Sequence, residues 1–381
     1  MKKYISGLCF LLCLSVSIYA QQNARIQSMG NSDIVPDISR TIYYNPAYMN
    51  DYKNQAQVSF DSPMIGIASL GNVMSIGAIL NRGLILNSSF YTAGLARLPA
   101  VTSMEYSPHL LLGVDLTAVK LGADIFWEHS AYSLENSTAA TTTKNNQSIN
   151  HFGFLLGGNF VLSSVKLAVH AGIGFPVIDA KTEATVTTET KSESGFSMRA
   201  GAEANAELAK LNWTLGFDWN HLAYQFSVAG TKQNNNSVNV YTPYIGLRTE
   251  LVDNVLLVAM EKSQLAFVSS KSATDSVVND TLVHTVSCGL EKQFAKAWIF
   301  DSLALRGGLS YAITNTNTDT TRTGSVEIKK GYVTTLGPAT PYLGFGVTKS
   351  LFTFDLVVDP AVWSGLFSGP DVARATMSVK F

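Results

Sequence analysis

The chain is short of charge, of cysteine and of long apolar helices, and each shortage narrows what it can be. Only 14% of its 381 residues are charged. Of its three cysteines, Cys9 and Cys13 fall in an N-terminal leader, which leaves Cys288 alone and excludes an intramolecular disulfide in the exported chain. Setting aside Lys2 and Lys3 of the leader reduces 27 Lys and Arg to 25 against 28 Asp and Glu, so bulk charge gives no reason to expect nucleic acid as a partner. Beyond the leader, no uncharged apolar run of about 18 residues reads as a membrane helix, and the nearest, Met64 to Leu80, is broken by Gly, Ser and Asn. The six histidines show no metal-binding spacing, and neither a Gly-x-Ser-x-Gly elbow nor a phosphate loop is present. His284 and Ser287 have opposite parity on a strand, so they do not form a nucleophile and base. No enzyme, cofactor or metal is therefore expected.

What is there begins with residues 1–20, which read as a secretory signal. Lys2 and Lys3 supply the positive start, Leu8 to Ile18 the short apolar run, and cleavage is expected after Ala20. The rest has a slightly positive mean hydropathy, +0.14 for the whole chain. An apolar, exported chain without a membrane helix can satisfy its backbone in a bilayer by closing into a β-barrel. Such a barrel predicts a period of two.

The C-terminal strand has that period: Ala373, Ala375, Met377, Val379 and Phe381 share one face, and Arg374, Thr376, Ser378 and Lys380 the other. Its terminal Phe381 makes it the segment expected to be read by the barrel assembly machinery. Hairpins with the same alternation are expected at residues 110–127, 152–175, 198–219, 241–260, 282–313 and 343–358. With a first strand around Ala56 and Val58 and the last strand, they give an all-β, antiparallel transmembrane barrel of about 14 strands in the bacterial outer membrane, embedded in its lipid. Between the hairpins, residues 133–150, 181–195, 230–237, 269–280 and 315–325 are rich in Ser, Thr and Asn and read as long extracellular loops opposite short periplasmic turns.

Inward parity falls to mixed-sign charges such as Asp124, Glu128, Arg199, Glu203, Arg306 and Asp355, read as a ladder that packs the lumen or, alternatively, as the lining of a selective polar pore. The segment from Met64 to Leu98 is too apolar for a solvent loop. It is either a further hairpin, which would make sixteen strands, or a loop over the barrel mouth that offers a groove to a hydrophobic ligand. On the second reading Ile65, Ile67, Leu70, Met74, Ile76, Leu86 and Phe90 line the groove. Trp363 and Phe367, in the apolar interruption from Asp359 to Gly369, either join them or sit in an aromatic girdle.

The residues before the first strand add a resemblance. Ala24-Arg25, Ser28-Met29-Gly30, Pro36-Asp37 and then Tyr43-Tyr44-Asn45-Pro46-Ala47 resemble the N-terminal signature of the FadL-type long-chain fatty acid transporter superfamily. That superfamily also includes outer-membrane barrels of the type IX secretion system. The resemblance implies a small plug, or hatch, over residues 21–53 inside a barrel over 54–381, with Tyr43, Tyr44, Asn45, Pro46 and Ala47 at its turn. It implies passive uptake of hydrophobic compounds such as long-chain fatty acids, or alternatively a non-transporting scaffold or shuttle for secreted proteins.

Overall fold

The computed structural model describes residues 23–59, 62–80, 107–137, 142–183, 188–228, 231–271, 275–322, 328–358 and 373–381. All strands lie in one antiparallel sheet that closes on itself. The first strand, β1 (Gln55–Ser59), pairs on one side with β2 (Ser62–Leu70) and on the other with the last, β17 (Ala373–Lys380), in a register from Gln55 with Lys380 to Ser59 with Thr376. Around the closed ring each strand position pairs on both sides over at least part of its length, as a lipid-facing sheet requires.

The wall divides into two sectors of different height. Among the described residues, six neighbouring strands are short: β16 (Phe352–Val358), β17, β1, β2, β3 (Met74–Leu80) and β4 (His109–Asp115) have five to nine residues each. A strand needs about 9–11 residues to cross the hydrocarbon layer at its usual tilt. At about 3.3 Å per residue, β1 measures only about 17 Å along its own axis. We call this sector the low wall.

The other strands are two to four times as long, from 17 to 22 residues: β5 (Val119–Ser137), β6 (Thr142–Leu162), β7 (Val165–Glu183), β8 (Thr188–Leu208), β9 (Leu211–Val228), β10 (Thr231–Val252), β11 (Val255–Lys271), β12 (Asp275–Ala295) and β13 (Ser302–Arg322). The next position is shared. β14 (Ile328–Leu336) pairs with the far part of β13 and β15 (Thr340–Lys349) with its near part, so the two are one strand interrupted at Gly337 to Ala339. Seventeen segments thus fill sixteen positions.

Two expectations are corrected here. The barrel has sixteen strands, not about fourteen, because Met64 to Leu80 does not form a loop: Met64 pairs with Leu80 and Leu70 with Met74 across a turn at Gly71. The Ser/Thr/Asn-rich segments are not wholly loops either. Pairing between β5 and β6 continues to Ser137 with Thr142, and between β12 and β13 to Asp275 with Arg322. Above the bilayer both faces of a strand meet water, so apolar alternation disappears from the sequence while Thr and Val still favour extended backbone.

The short turns lie together at one end, with Thr117, Ser163, Ala209, Lys210, Asn254 and Ser350 in the left-handed region that tight hairpins use. The segment before β1 enters the lumen at this end. It consists of helix α1 (Ala24–Ser28), helix α2 (Ile38–Tyr44) and a 3-10 turn at Pro46–Asp51. Almost all its described residues are buried or half-buried.

Candidate functional site

The hatch is held through its two motifs. Asn45 is fully buried in extended conformation, and its Oδ1 accepts from the Ala47 backbone N–H at 2.9 Å, which caps the 3-10 turn. Its Nδ2 donates across to the wall, to Val169 O at 2.9 Å, Asn159 Oδ1 at 3.0 Å and Gly158 O at 3.3 Å. Pro46 fixes the first residue of that turn, as it does at helix starts. The wall gives way to receive this corner: a Cβ on Gly157 or Gly122 would strike Asn45, Pro46 or Ala47, and one on Gly113 would stand 2.7 Å from Asn50 Oδ1. Opposite, Gly289, Gly308 and Gly344 form a second cradle under Ser28, Met29 and Gly30. A backbone can approach a sheet this closely only where the side chain is absent.

Around the tall wall the attachment is mostly ionic and hydrogen-bonded. Arg25 reaches Glu291 at 3.0 Å, and Glu291 is shared with Arg306 at 2.5 Å, which in turn holds Asp355 at 2.6 Å. Burial works against the Arg25 charge, yet Glu291 holds its pKa above the ordinary value. Asp33 pairs with Lys262 at 2.8 Å, and Asp51 with Lys120. Arg199, bound to Asp218 at 3.1 Å, donates to Tyr43 O at 2.8 Å. Tyr48 donates to Glu203 at 3.1 Å; burial, and then that carboxylate, push its hydroxyl pKa up, so it stays protonated and remains the donor. Tyr44 packs edge-on against His170 with ring centroids 4.7 Å apart. One apolar cluster, Ile26, Met29 and Val35 against Val258, lies among these contacts. Beneath the hatch, at the short-turn end, is a cavity of about 750 Å³ lined in part by Pro36, Tyr48, Lys166, Glu207 and Arg248.

Toward β2, β3 and β4 the hatch makes an apolar contact, beside hydrogen bonds of Asn50 with Ser75 at 3.1 Å and Val114 O at 3.4 Å and the Lys53–Asp115 pair at 3.1 Å. Ile38, Ile42 and Met49 of the hatch pack on Ile65, Ile67, Ile79 and Leu111, with Tyr43 and Tyr52 against the same cluster. Of the described residues among those expected to line one groove, only Ile65 and Ile67 therefore face the lumen. Leu70, Met74 and Ile76 have the opposite parity and are exposed on the outer face of the same hairpin. Leu86, Phe90, Trp363 and Phe367 lie outside the described residues. The low wall is thus apolar on both its faces at β2 and β3.

Two further clusters escaped a reading of spacing alone. His109 Nδ1 meets Asp124 at 2.9 Å and its Nε2 meets Ser107 at 3.0 Å; His151 Nδ1 meets Glu128 at 2.9 Å and its Nε2 meets Ser197 at 2.9 Å. Both follow the serine, histidine, carboxylate order of hydrolases. However, Ser107 is 1% and Ser197 4% exposed, so neither presents its oxygen to a substrate, and both clusters serve as the buried polar packing of the lumen. Pairs of strand numbers would have revealed them, since Glu128 stands opposite His151. Among the described residues no group of His, Cys, Asp and Glu could hold a metal ion.

Residues 104–247 match the family model described as the outer membrane protein β-barrel domain. No curated protein matches the chain. Similar solved structures include the toluene transporter TodX of Pseudomonas putida, with 11% identity over 96% of this chain and 100% of that one at a TM-score of 0.45. The deltaS2 mutant of the TodX monoaromatic hydrocarbon channel gives 10% identity over 94% and 96% at 0.42, and the ferric yersiniabactin receptor FyuA of Yersinia pestis 10% over 84% and 71% at 0.38. Likenesses this distant bear on neither cargo nor route.

Proposed function

We propose that this bacterial outer-membrane barrel is a passive channel for hydrophobic compounds, long-chain fatty acids among them, and that cargo crosses the low wall sideways while the hatch stays seated. The observation that carries the reading is the contrast around the hatch. Glycine cradles and ion pairs fasten it to most of the lumen, and on this reading it lies across the straight path. At β2 and β3, by contrast, it rests mainly on isoleucines, with a single hydrogen bond from Ser75 to Asn50 among the described residues, and the wall behind them is apolar outside as well. A hydrophobic molecule is stabilised on both faces of that wall by about 25 cal/mol for each Å² withdrawn from water. Among the described residues it also has the least paired strand to pass, since β1 there has five residues. The resemblance of the Met29-Gly30 and Asn45-Pro46-Ala47 motifs to fatty acid transporters points the same way.

The test is uptake of a labelled fatty acid and of an aromatic hydrocarbon into vesicles carrying the protein, with Ile67→Asp beside the wild type. Uptake no faster than into empty vesicles would refute the channel. A second reading, a surface scaffold for secreted proteins, is favoured by the tall wall, whose 17- to 22-residue strands outreach the bilayer. Secreted proteins co-purifying with the full chain, together with no uptake, would support it instead.

A further inference from the structure

We infer that the cavity beneath the hatch is a binding site for a small organic dicarboxylate entering from the periplasm, and that the bound dianion ties the hatch to the wall. The site lies apart from β2 and β3 and does not depend on what crosses there.

The cavity volume, about 750 Å³, falls within the range of about 300–1,000 Å³ usual for small-molecule pockets. Thr117, Ser163 and Ala209, from three of the short turns, stand in its lining, so it lies at the periplasmic end. One side of it is hatch, with Pro36, Tyr48 and Tyr52, and the other is wall, from Lys120 on β5 to Arg248 on β10. A ligand here touches both.

The charges of the lining do not balance. Asp33 and Asp51 are paired with Lys262 and Lys120, and Glu203 already accepts from Tyr48, from Asn205 at 2.7 Å and from Tyr244 at 2.6 Å. Among the described residues, no hydrogen bond or ion pair engages the side chains of three lining cations, Lys166, Lys210 and Arg248, against one such acid, Glu207. Two positive charges are left over. Arg248 is half-buried and stands two residues after Gly246, whose face meets Ile34 of the hatch, so it points into the lumen. Arg25 acts on it as a like charge and Glu203 as an opposite one. Partly buried guanidiniums are ordinarily paired, and their planar fork fits a carboxylate.

The spacing of the cations selects the anion. Lys166 stands opposite Asn205, Asn205 opposite Thr214, and Thr214 opposite Gly246, the residue two before Arg248. Three strand intervals of about 4.8 Å separate the two backbones by about 14 Å along the wall. A compact ion such as phosphate meets both cations only if both side chains are drawn across the cavity, whereas a molecule with a carboxylate at each end meets one with each. Tyr48 and Tyr52 have their hydroxyls turned to Glu203 and Thr41, which leaves their rings to pack on the chain between the carboxylates. Because those rings belong to the hatch, a ligand bound here stabilises its seated position by linkage.

The full-length protein in a neutral detergent is titrated calorimetrically, at constant ionic strength, with adipate, with its uncharged diamide and with inorganic phosphate. Adipate should bind at least about tenfold tighter than either. Arg248→Gln and Lys166→Gln should each weaken adipate about tenfold. Lys166 is exposed, so its variant carries the test if Arg248→Gln no longer shows the gel mobility of a folded barrel. Adipate should also slow hydrogen exchange at the Tyr48 and Tyr52 amides, which donate within the hatch to Asn45 O and Met49 O at 3.1 Å each. No binding of adipate, equal binding of adipate and diamide, or unweakened binding by either variant when folded overturns the site. Phosphate bound as tightly as adipate overturns the dicarboxylate, and unchanged exchange overturns the tie to the hatch.

Discussion

The low wall and the tall wall hold the same hatch by different chemistry. At β5 to β13 the lumen offers mainly carboxylates, guanidiniums and glycine cradles, with one apolar cluster at Val258. At β2 to β4 it offers mainly isoleucine and leucine, beside Ser75 and Asp115. Directional contacts specify one position and resist sliding, whereas apolar packing tolerates displacement as long as contact area is kept. One side of the lumen is thus a clamp and the other a surface along which an apolar molecule can replace apolar protein.

That contrast can be broken deliberately, beginning with the clamp. Glu291→Gln removes the carboxylate shared by Arg25 and Arg306 and leaves buried cations underpaired, for an expected loss of about 3–5 kcal/mol in denaturant unfolding of the barrel. Asn45→Ala deletes the cap of the 3-10 turn and the contacts to Val169, Asn159 and Gly158. It should cost about 2–3 kcal/mol and raise ion conductance across a planar bilayer as the hatch loosens. Ile67→Val, on the other wall, should cost about 1 kcal/mol, change hydrophobic uptake, and leave conductance closed. If Ile67→Val opened the pore to ions and Asn45→Ala did not, the assignment of clamp and passage would be reversed.

The smallest effect concerns the seam between the walls. Asp301, in the exposed turn between β12 and β13, accepts from the Ser350 backbone N–H at 2.6 Å and meets Lys349 at 3.4 Å; these hold its pKa below the ordinary value. A depressed carboxylate stabilises the fold above its unfolded pKa, and that contribution is lost as pH falls through the lowered folded value. Hydrogen exchange in the two turns should therefore quicken on acidification below the ordinary aspartate range. Asp301→Asn should show quick exchange at every pH.

Much of this was legible in the sequence. The last strand, the leading hairpins and the hatch motif all announce themselves, because alternation is a direct trace of one face in lipid and the other in a polar lumen. The β2–β3 hairpin was ambiguous because both its faces are apolar: Ile65 and Ile67 face the hatch while Leu70, Met74 and Ile76 face outward, so no alternation is left to read. The upper parts of β5 to β13 were hidden for the opposite reason, since both faces there are polar. The cradles could not be seen at all. Gly122 and Gly157 carry no side chain to reveal a face, and their meaning depends on Asn45 and Pro46, which lie more than seventy positions earlier in the chain.

The closing seam has a consequence for how the molecule is assembled. β1 follows the hatch directly, and the last backbone N–H of the chain, on Phe381, donates to Asn54 O at the end of that hatch, at 3.0 Å. Pairing the first strand with the last therefore also anchors the linker at Asn54, so closing the cylinder and fixing the end of the hatch share one hydrogen bond.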